Sequence, residues 1–443
     1  MHPIYLLGLG IPCSETPRFP SHAQGILEKA DVLIGGHAQL GLLAAHPAEK
    51  LQIGADTENL YRRMAELRAQ GKLLVALCSG DPLYYGLGAR LAERFGPDAL
   101  RVVPNLSSLQ AATAFLGLPW ENMRSVSLHG RNSMLPLAHA LVEAGEAGPV
   151  CLLCDAATSP AAIASWMLER GCSAYDMHLL DDLRLAPDGT IITATPGAHR
   201  RRTLTEAAAL AEENAAPGQR IILLLPSPSP ADSEEPPPAF RPFGVDASLL
   251  DKDRGVFTKL PARAAGLAAL GIEARDTVWD IGAGSGAVSI DAARLASRGQ
   301  VFAFEANENR ITHLFANRQR CRVPNMEVLP GCFPLSTHLL EQADGLPPPR
   351  PHKIFVGGGL GGDAHNARQL LHAAWQALLP GGRLLAHCIL LSSLEAARKE
   401  LGELGGAVEL QSIQAAQAVP AGTDVRFEAM NPVFLVLALK PLA

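Results

Sequence analysis

An apolar run that breaks into three alternating glycines constrains this chain more than any other stretch. Thr277-Val278-Trp279-Asp280-Ile281 leads into Gly282-Ala283-Gly284-Ser285-Gly286, and an Ala-rich helical pattern begins at Ala287. The order predicts a strand, a tight turn and a helix start. Glycine lets the backbone turn sharply and lets a ligand approach main-chain atoms with no Cβ in the way. A second strand, Gln300 to Phe304, ends in Glu305, about 20 residues past the glycines, where a carboxylate can accept both hydroxyls of a ribose. Together they describe a pocket for an adenosine-bearing cofactor.

Two cofactors fit those glycines. Gly282-x-Gly284-x-x-Ala287 satisfies the dinucleotide pattern of NAD, but there is no sign of a second nucleotide-binding half. Asp280, two residues before the first glycine, would face a pyrophosphate badly. It suits the ammonium of S-adenosylmethionine (SAM), directly or through water. The run with its later acid therefore favours SAM over NAD.

The rest of the chain repeats an α/β rhythm on both sides of one break. Residues 226–242 hold seven prolines with Ser, Asp and Glu, which marks an extended linker. The domains expected are 1–225 and 244–443, joined by 226–243. In the first half, strands are predicted at 4–9, 31–36, 72–78, 100–103, 126–128, 149–153, 176–180, 189–193 and 220–225, with helices near 22–30, 56–70 and 108–116. The strand at 72–78 runs into Ser79-Gly80-Asp81-Pro82, a polar elbow where open α/β sheets place ligands. Ser107 reads as a helix N-cap. In the second half, strands near 300–304, 326–329, 353–356 and 384–391 alternate with helices, and strands near 407–414 and 433–439 close a terminal hairpin.

Composition argues against several classes. A net charge of -6 leaves no basic footprint for nucleic acid. No apolar run reaches the roughly 18 residues of a membrane span, and Ile4 to Leu7 is too short for a signal sequence. A cytoplasmic protein is expected. Eight cysteines in a chain of 443 residues do not make a disulfide framework, and Cys151 and Cys154 read as buried thiols. No histidine or cysteine spacing predicts a metal.

Several segments carry a resemblance. Gly8-Leu9-Gly10, Ser79-Gly80-Asp81-Pro82-Leu83-Tyr84-Tyr85-Gly86, Pro104-Asn105-Leu106-Ser107-Ser108-Leu109-Gln110 and Ser127-Leu128-His129-Gly130-Arg131 resemble the tetrapyrrole (corrin/porphyrin) methylases, in their C5-methylating precorrin branch. Thr258-Lys259, the glycine turn, Glu305 and Gly357-Gly358-Gly359 resemble the decarboxylating C15-methylating enzymes of the same pathway. The resemblance implies a tetrapyrrole methylase fold of two α/β lobes, about 1–110 and 111–225, followed by a class I Rossmann-like methyltransferase. It implies one SAM per domain, a precorrin substrate methylated at C5 and C15 with loss of CO2 from the ring C acetate, and a homo-oligomer.

Carried over by position, the resemblance implies SAM contacts from Leu9, Gly80, Asp81, Tyr85, Ser107 and Ser108 in the first half. In the second it implies Thr258, Gly282, Ala283, Gly284, Ser285, Gly286, Glu305, Gly331 and Cys332, to which the residue reading adds Asp280. Thr258, Lys259 and Arg263 are candidates to anchor substrate carboxylates. Leu260-Pro261-Ala262-Arg263, Cys332 and His387 depart from the family's usual residues. A methine carbon conjugated to pyrrole nitrogens is already nucleophilic and a sulfonium methyl already activated, so catalysis can rest on positioning and exclusion of water. An RNA methyltransferase, a chain with one silent domain acting as scaffold, and a NAD dehydrogenase stay as rival readings.

Overall fold

The computed structural model describes residues 2–12, 21–54, 56–131, 133–145, 148–154, 158–193, 195, 197–210, 220–228, 243–252, 258–342, 349–361 and 363–442. Most of the Pro-rich stretch expected at 226–243 lies outside these residues.

Three large sheets organise the chain. The first is five-stranded and wholly parallel, in the order Glu49–Gln52, Val32–Gly35, Leu74–Cys78, Ile4–Gly8, Leu100–Val103. Its central strands are continuous apolar runs because helices cover both faces, and Ile4, Leu6, Leu7, Leu74, Val75 and Ala76 are all fully buried. Glu49–Gln52 shows no apolar run and escapes sequence reading: it is an edge strand, exposed along most of its length.

The second sheet is mixed. Its order is His199–Thr203, Tyr175–Leu180, Arg220–Pro226, Val150–Cys154, Arg124–Ser127, and only the last two run parallel. The edge strand His-Arg-Arg-Arg-Thr carries no strand signal. It pairs with Tyr175–Leu180 through main-chain bonds, and Arg201 Nε meets Asp176 Oδ2 at 2.8 Å. The strand predicted at 189–193 is confined to Ile191–Thr193, paired with Leu183–Leu185 outside this sheet. Cys151 and Cys154 are buried free thiols, and burial pushes Cys151 up to about 12.

The third sheet has seven strands: Met326–Pro330, Gln300–Glu305, Thr277–Ile281, Lys353–Val356, Arg383–Cys388, Val433–Leu439 and Ala407–Ile413. The first five are parallel, and Val433–Leu439 runs antiparallel to both its neighbours, Arg383–Cys388 and Ala407–Ile413. This is the class I methyltransferase arrangement that the resemblance implies, with apolar clusters on both faces. Trp279 pairs with Phe302 on one side and Ile354 on the other, so the glycine turn leaves from the middle of the sheet. The strand predicted at 384–391 ends at Cys388, and Leu391 opens a helix that runs to Glu403. Between the two antiparallel strands the chain adds a hairpin, Ala416–Ala421 with Asp424–Ala429, exposed on nearly every residue.

Candidate active sites

A cleft of about 550 Å³ opens where the first sheet meets the second. Gly80, Asp81, Tyr85 and Ser108 line it, together with Ser127, His129, Gly130 and Arg131 from the second lobe. The elbow forms because Gly80 takes φ +61 and its N–H donates to Gly10 O at 3.1 Å. Asp81 Oδ1 accepts from Leu83 N at 2.8 Å, which turns the chain back toward the helix Leu87–Phe95. Gly8 and Gly10 serve this loop packing rather than the ligand: a Cβ on Gly8 would lie 2.6 Å from Gly80 O, and one on Gly10 would lie 2.8 Å from the Asn105 side chain. Tyr85 holds φ +51, rare for a residue with a Cβ, while its hydroxyl donates to the carbonyl of Ser125 across the lobes. Strain of this kind gathers at functional sites.

Two expected contacts stand outside that lining. The Leu9 N–H is spent on Cys78 O at 2.8 Å. Ser107 is buried as the N-cap of the helix Ser108–Leu116, in a reciprocal capping box with Gln110. The cleft also recruits residues the sequence did not single out, among them Gln39, Arg90 and Arg220. Arg220 is fixed by Asp181 at 2.8 Å. Arg90 and Arg131 are exposed.

A second cleft, about 450 Å³, lies at the carboxyl ends of the third sheet. Gly282, Ala283, Gly284, Ser285, Glu305, Gly331, Cys332 and Thr258 line it, with Gly357, Gly358 and Gly359 opposite. Gly284 sits at φ +60 with open space where a Cβ would point, which leaves its main chain bare to a ligand. The Glu305 carboxylate is held by three main-chain N–H groups: Gly284 to Oε2 at 2.7 Å, Ala306 to Oε1 at 3.0 Å and Asn307 to Oε1 at 2.9 Å. Oε2 thus keeps acceptor capacity on the cleft side for a hydroxyl. An open glycine backbone beside a fixed carboxylate fits an adenosine-bearing group. Phe304 and Phe333, in edge-to-face contact at 5.2 Å, form the apolar wall.

Four expected contributors lie elsewhere. Asp280 is buried behind the turn, where one of its oxygens accepts from the Ser289 hydroxyl, and it does not line the cleft. Burial in an apolar surround pushes its carboxyl up to about 7. Gly286, also off the lining, is required by packing: it holds φ +88 as N-cap of the helix Ala287–Leu295, and a Cβ there would reach 2.4 Å from Leu314. Lys259 is exposed at the N-cap of the helix Leu260–Leu270 and outside the lining. Arg263 is fully buried and paired with Asp291 at 2.7 Å, so it cannot meet a substrate carboxylate.

His387 joins the lining instead, with its ring 5.9 Å from that of Phe355. Burial depresses its pKa and favours the neutral ring. Arg310 and Ile389 complete the rim. Ile389, Leu390, Leu391 and Leu335 are all more than half exposed, an apolar fringe in the segments that frame this cleft.

A mixed two-lobe half followed by a class I half, each with a cleft of its own, is the architecture of the methyltransferase folds that the sequence resembles. Comparison with known proteins narrows the class. Residues 4–180 match the tetrapyrrole (corrin/porphyrin) methylases, and residues 250–440 match the precorrin methyltransferase domain. A precorrin-6Y C(5,15)-methyltransferase [decarboxylating] from Sinorhizobium sp is 28% identical over 97% of this chain and 95% of its own length. A cobalt-precorrin-7 C(5)-methyltransferase from Salmonella typhimurium is 32% identical over 38% of this chain and 78% of its own length. A cobalt-precorrin-6B C(15)-methyltransferase (decarboxylating) from the same organism is 33% identical over 44% of this chain and 95% of its own length. The chain belongs to the precorrin-6Y C5,15-methyltransferase (decarboxylating) family.

Proposed function

We propose that this chain methylates a precorrin twice, at C5 through residues 1–225 and at C15 through residues 244–443, with CO2 lost from the ring C acetate at the second site. One observation carries the reading: a single chain holds two clefts, and the halves that hold them are similar to two Salmonella enzymes that are named separately for C5 and for C15 with decarboxylation. Each domain binds its own SAM, which supplies an activated methyl on sulfur.

The chain's residues then have positioning to do. In the first cleft Gly80 and Ser108 present main chain to the cofactor, and Tyr85 spans the lobes. Arg90 and Arg131 give the rim positive charge suited to a ring that carries many carboxylates. In the second cleft Gly282 to Ser285 cradle the cofactor and Glu305 accepts from its ribose. Phe304, Phe333 and Ile281 keep water off the reacting carbon. The exposed Ile389, Leu390 and Leu391 suit the flat apolar face of a macrocycle. The conjugated ring is its own electron sink for decarboxylation, so no side-chain nucleophile is required.

A net charge of -6 does not suit RNA as the methyl acceptor. The exposed hairpin, with Phe427 and Val425 in solvent, supports a homo-oligomer. No helix among the described residues is long and apolar enough to cross a membrane. A cytoplasmic enzyme fits that reading.

The test is mass spectrometry of the product formed from precorrin-6B and methyl-labelled SAM by the full chain. Two labelled methyls gained and one CO2 lost is the expected result. One methyl would mean a silent domain, and none would overturn the function.

A further inference from the structure

The sequence offers Arg263 as a substrate anchor, and the structure gives it a different task. Arg263 and Asp291 are both fully shielded from solvent. Arg263 Nε donates to Asp291 Oδ2 at 2.7 Å, Nη1 to the carbonyl of Thr258 at 2.9 Å and Nη2 to the carbonyl of Val245 at 2.8 Å. Asp291 Oδ1 in turn accepts from the N–H groups of Gly244 at 3.1 Å and Val245 at 2.9 Å. Four main-chain contacts therefore converge on one buried ion pair, from both ends of the segment that runs from Gly244 to Thr258.

Two facts connect this pair to the second cleft. Thr258 lines that cleft. Asp291 stands on the helix Ala287–Leu295, which begins directly after the glycine turn. The pair thus joins Thr258 on one wall to the turn on another through a rigid helix. Burying two charges costs several kcal/mol per ion, and a well-packed apolar pair is often as stable or more so. Stability alone does not call for this arrangement.

We infer that the Arg263–Asp291 pair is a positioning device for the C-terminal cofactor cleft, holding Thr258 in register with the glycine turn. This rests on reading that cleft as a SAM site. Neither residue of the pair lines the cleft. It sets cofactor affinity and leaves the methyl-transfer step itself alone.

S-adenosylhomocysteine, titrated into the full-length protein and followed by hydrogen exchange, tests the inference. Coupling between sites is reciprocal, so a ligand that needs the clamp must also tighten it. In the wild type, the amides of Gly244 and Val245 are expected to be protected, and further protected once the ligand protects the Gly284 region. Asp291→Asn, and the apolar replacement Arg263→Met with Asp291→Leu, should raise the half-saturating ligand concentration at the Gly284 region about tenfold. Protection around Gly80 should titrate as in the wild type, and the saturated C15 methylation rate should stay within about twofold.

Each failure has its own signature. If the ligand leaves the Gly284 region unprotected, the SAM reading of this cleft falls. If Gly284 is protected but Gly244 and Val245 do not respond in the wild type, the clamp is refuted, whether or not either variant folds. It is also refuted if the folded double variant titrates as the wild type does.

Discussion

Glu305→Gln changes one atom in the second cleft and should separate the two activities. The carboxylate accepts from Gly284 through Oε2 and from Ala306 and Asn307 through Oε1. A glutamine keeps only one oxygen. With that oxygen left on Ala306 and Asn307, its NH2 group faces the Gly284 N–H, and a donor meets a donor. A hydrogen bond to a charged group is worth about 1.5–3 kcal/mol. Loss of the Gly284 bond should lower the melting temperature of a domain of this size by about 3–12 °C. The lost oxygen is also the one with capacity for a ribose hydroxyl, so a similar energy leaves binding and SAM affinity should fall roughly 10- to 150-fold. The assay is the KM for SAM in each methylation, separated by product mass, with CO2 release marking the C15 step. A C15 KM within threefold of wild type, or a parallel rise in the C5 KM, would refute the reasoning.

Three further outcomes follow from the geometry. Tyr85→Phe deletes the hydroxyl that reaches Ser125 and nothing else, and one neutral hydrogen bond of about 1 kcal/mol predicts a roughly fivefold rise in KM for the C5 step with C15 kinetics unchanged. Asp280 is protonated more readily when folded than its ordinary 3.8, up to about 7, so the folded state binds more protons between those values. Its contribution to stability is complete below about pH 4 and is lost as pH rises toward 7, and Asp280→Asn should flatten that slope in denaturant titrations against pH. Phe427→Asp on the exposed hairpin should reduce the particle mass measured by light scattering if the hairpin joins copies, with both methylations retained.

How much could be read in advance depended on how local the physics was. The glycine turn, its strand and Glu305 were legible because each is dictated by neighbours within a few residues. The parallel strands were legible because full burial writes continuous apolar runs. Glu49–Gln52 and His199–Thr203 were not, because edge strands are held by backbone pairing and tolerate polar side chains. The run Ile389-Leu390-Leu391 imitates a strand, but the antiparallel ladder ends where Cys388 meets Phe434, and the next residues turn away into a helix. Asp280 and Arg263 were misplaced for a shared reason. Their partners, Ser289 and Asp291, lie on a helix that faces them only once the sheet has formed. Chemistry alone cannot tell a charge aimed at a ligand from one that ties two elements together.

The opposed glycine loops leave this enzyme little freedom to drift. A methyl group added to Gly282 would land 2.8 Å from the nitrogen of Gly358, and one added to Gly357 would come within 3.2 Å of Gly282 O. A side chain at Gly282 needs the Gly358 main chain to retreat, and one at Gly357 needs Gly282 to give way, so these two positions change together or stay as they are. Variation in which ring the second half accepts has an easier route through residues 389–391, whose side chains stand in solvent and obstruct nothing.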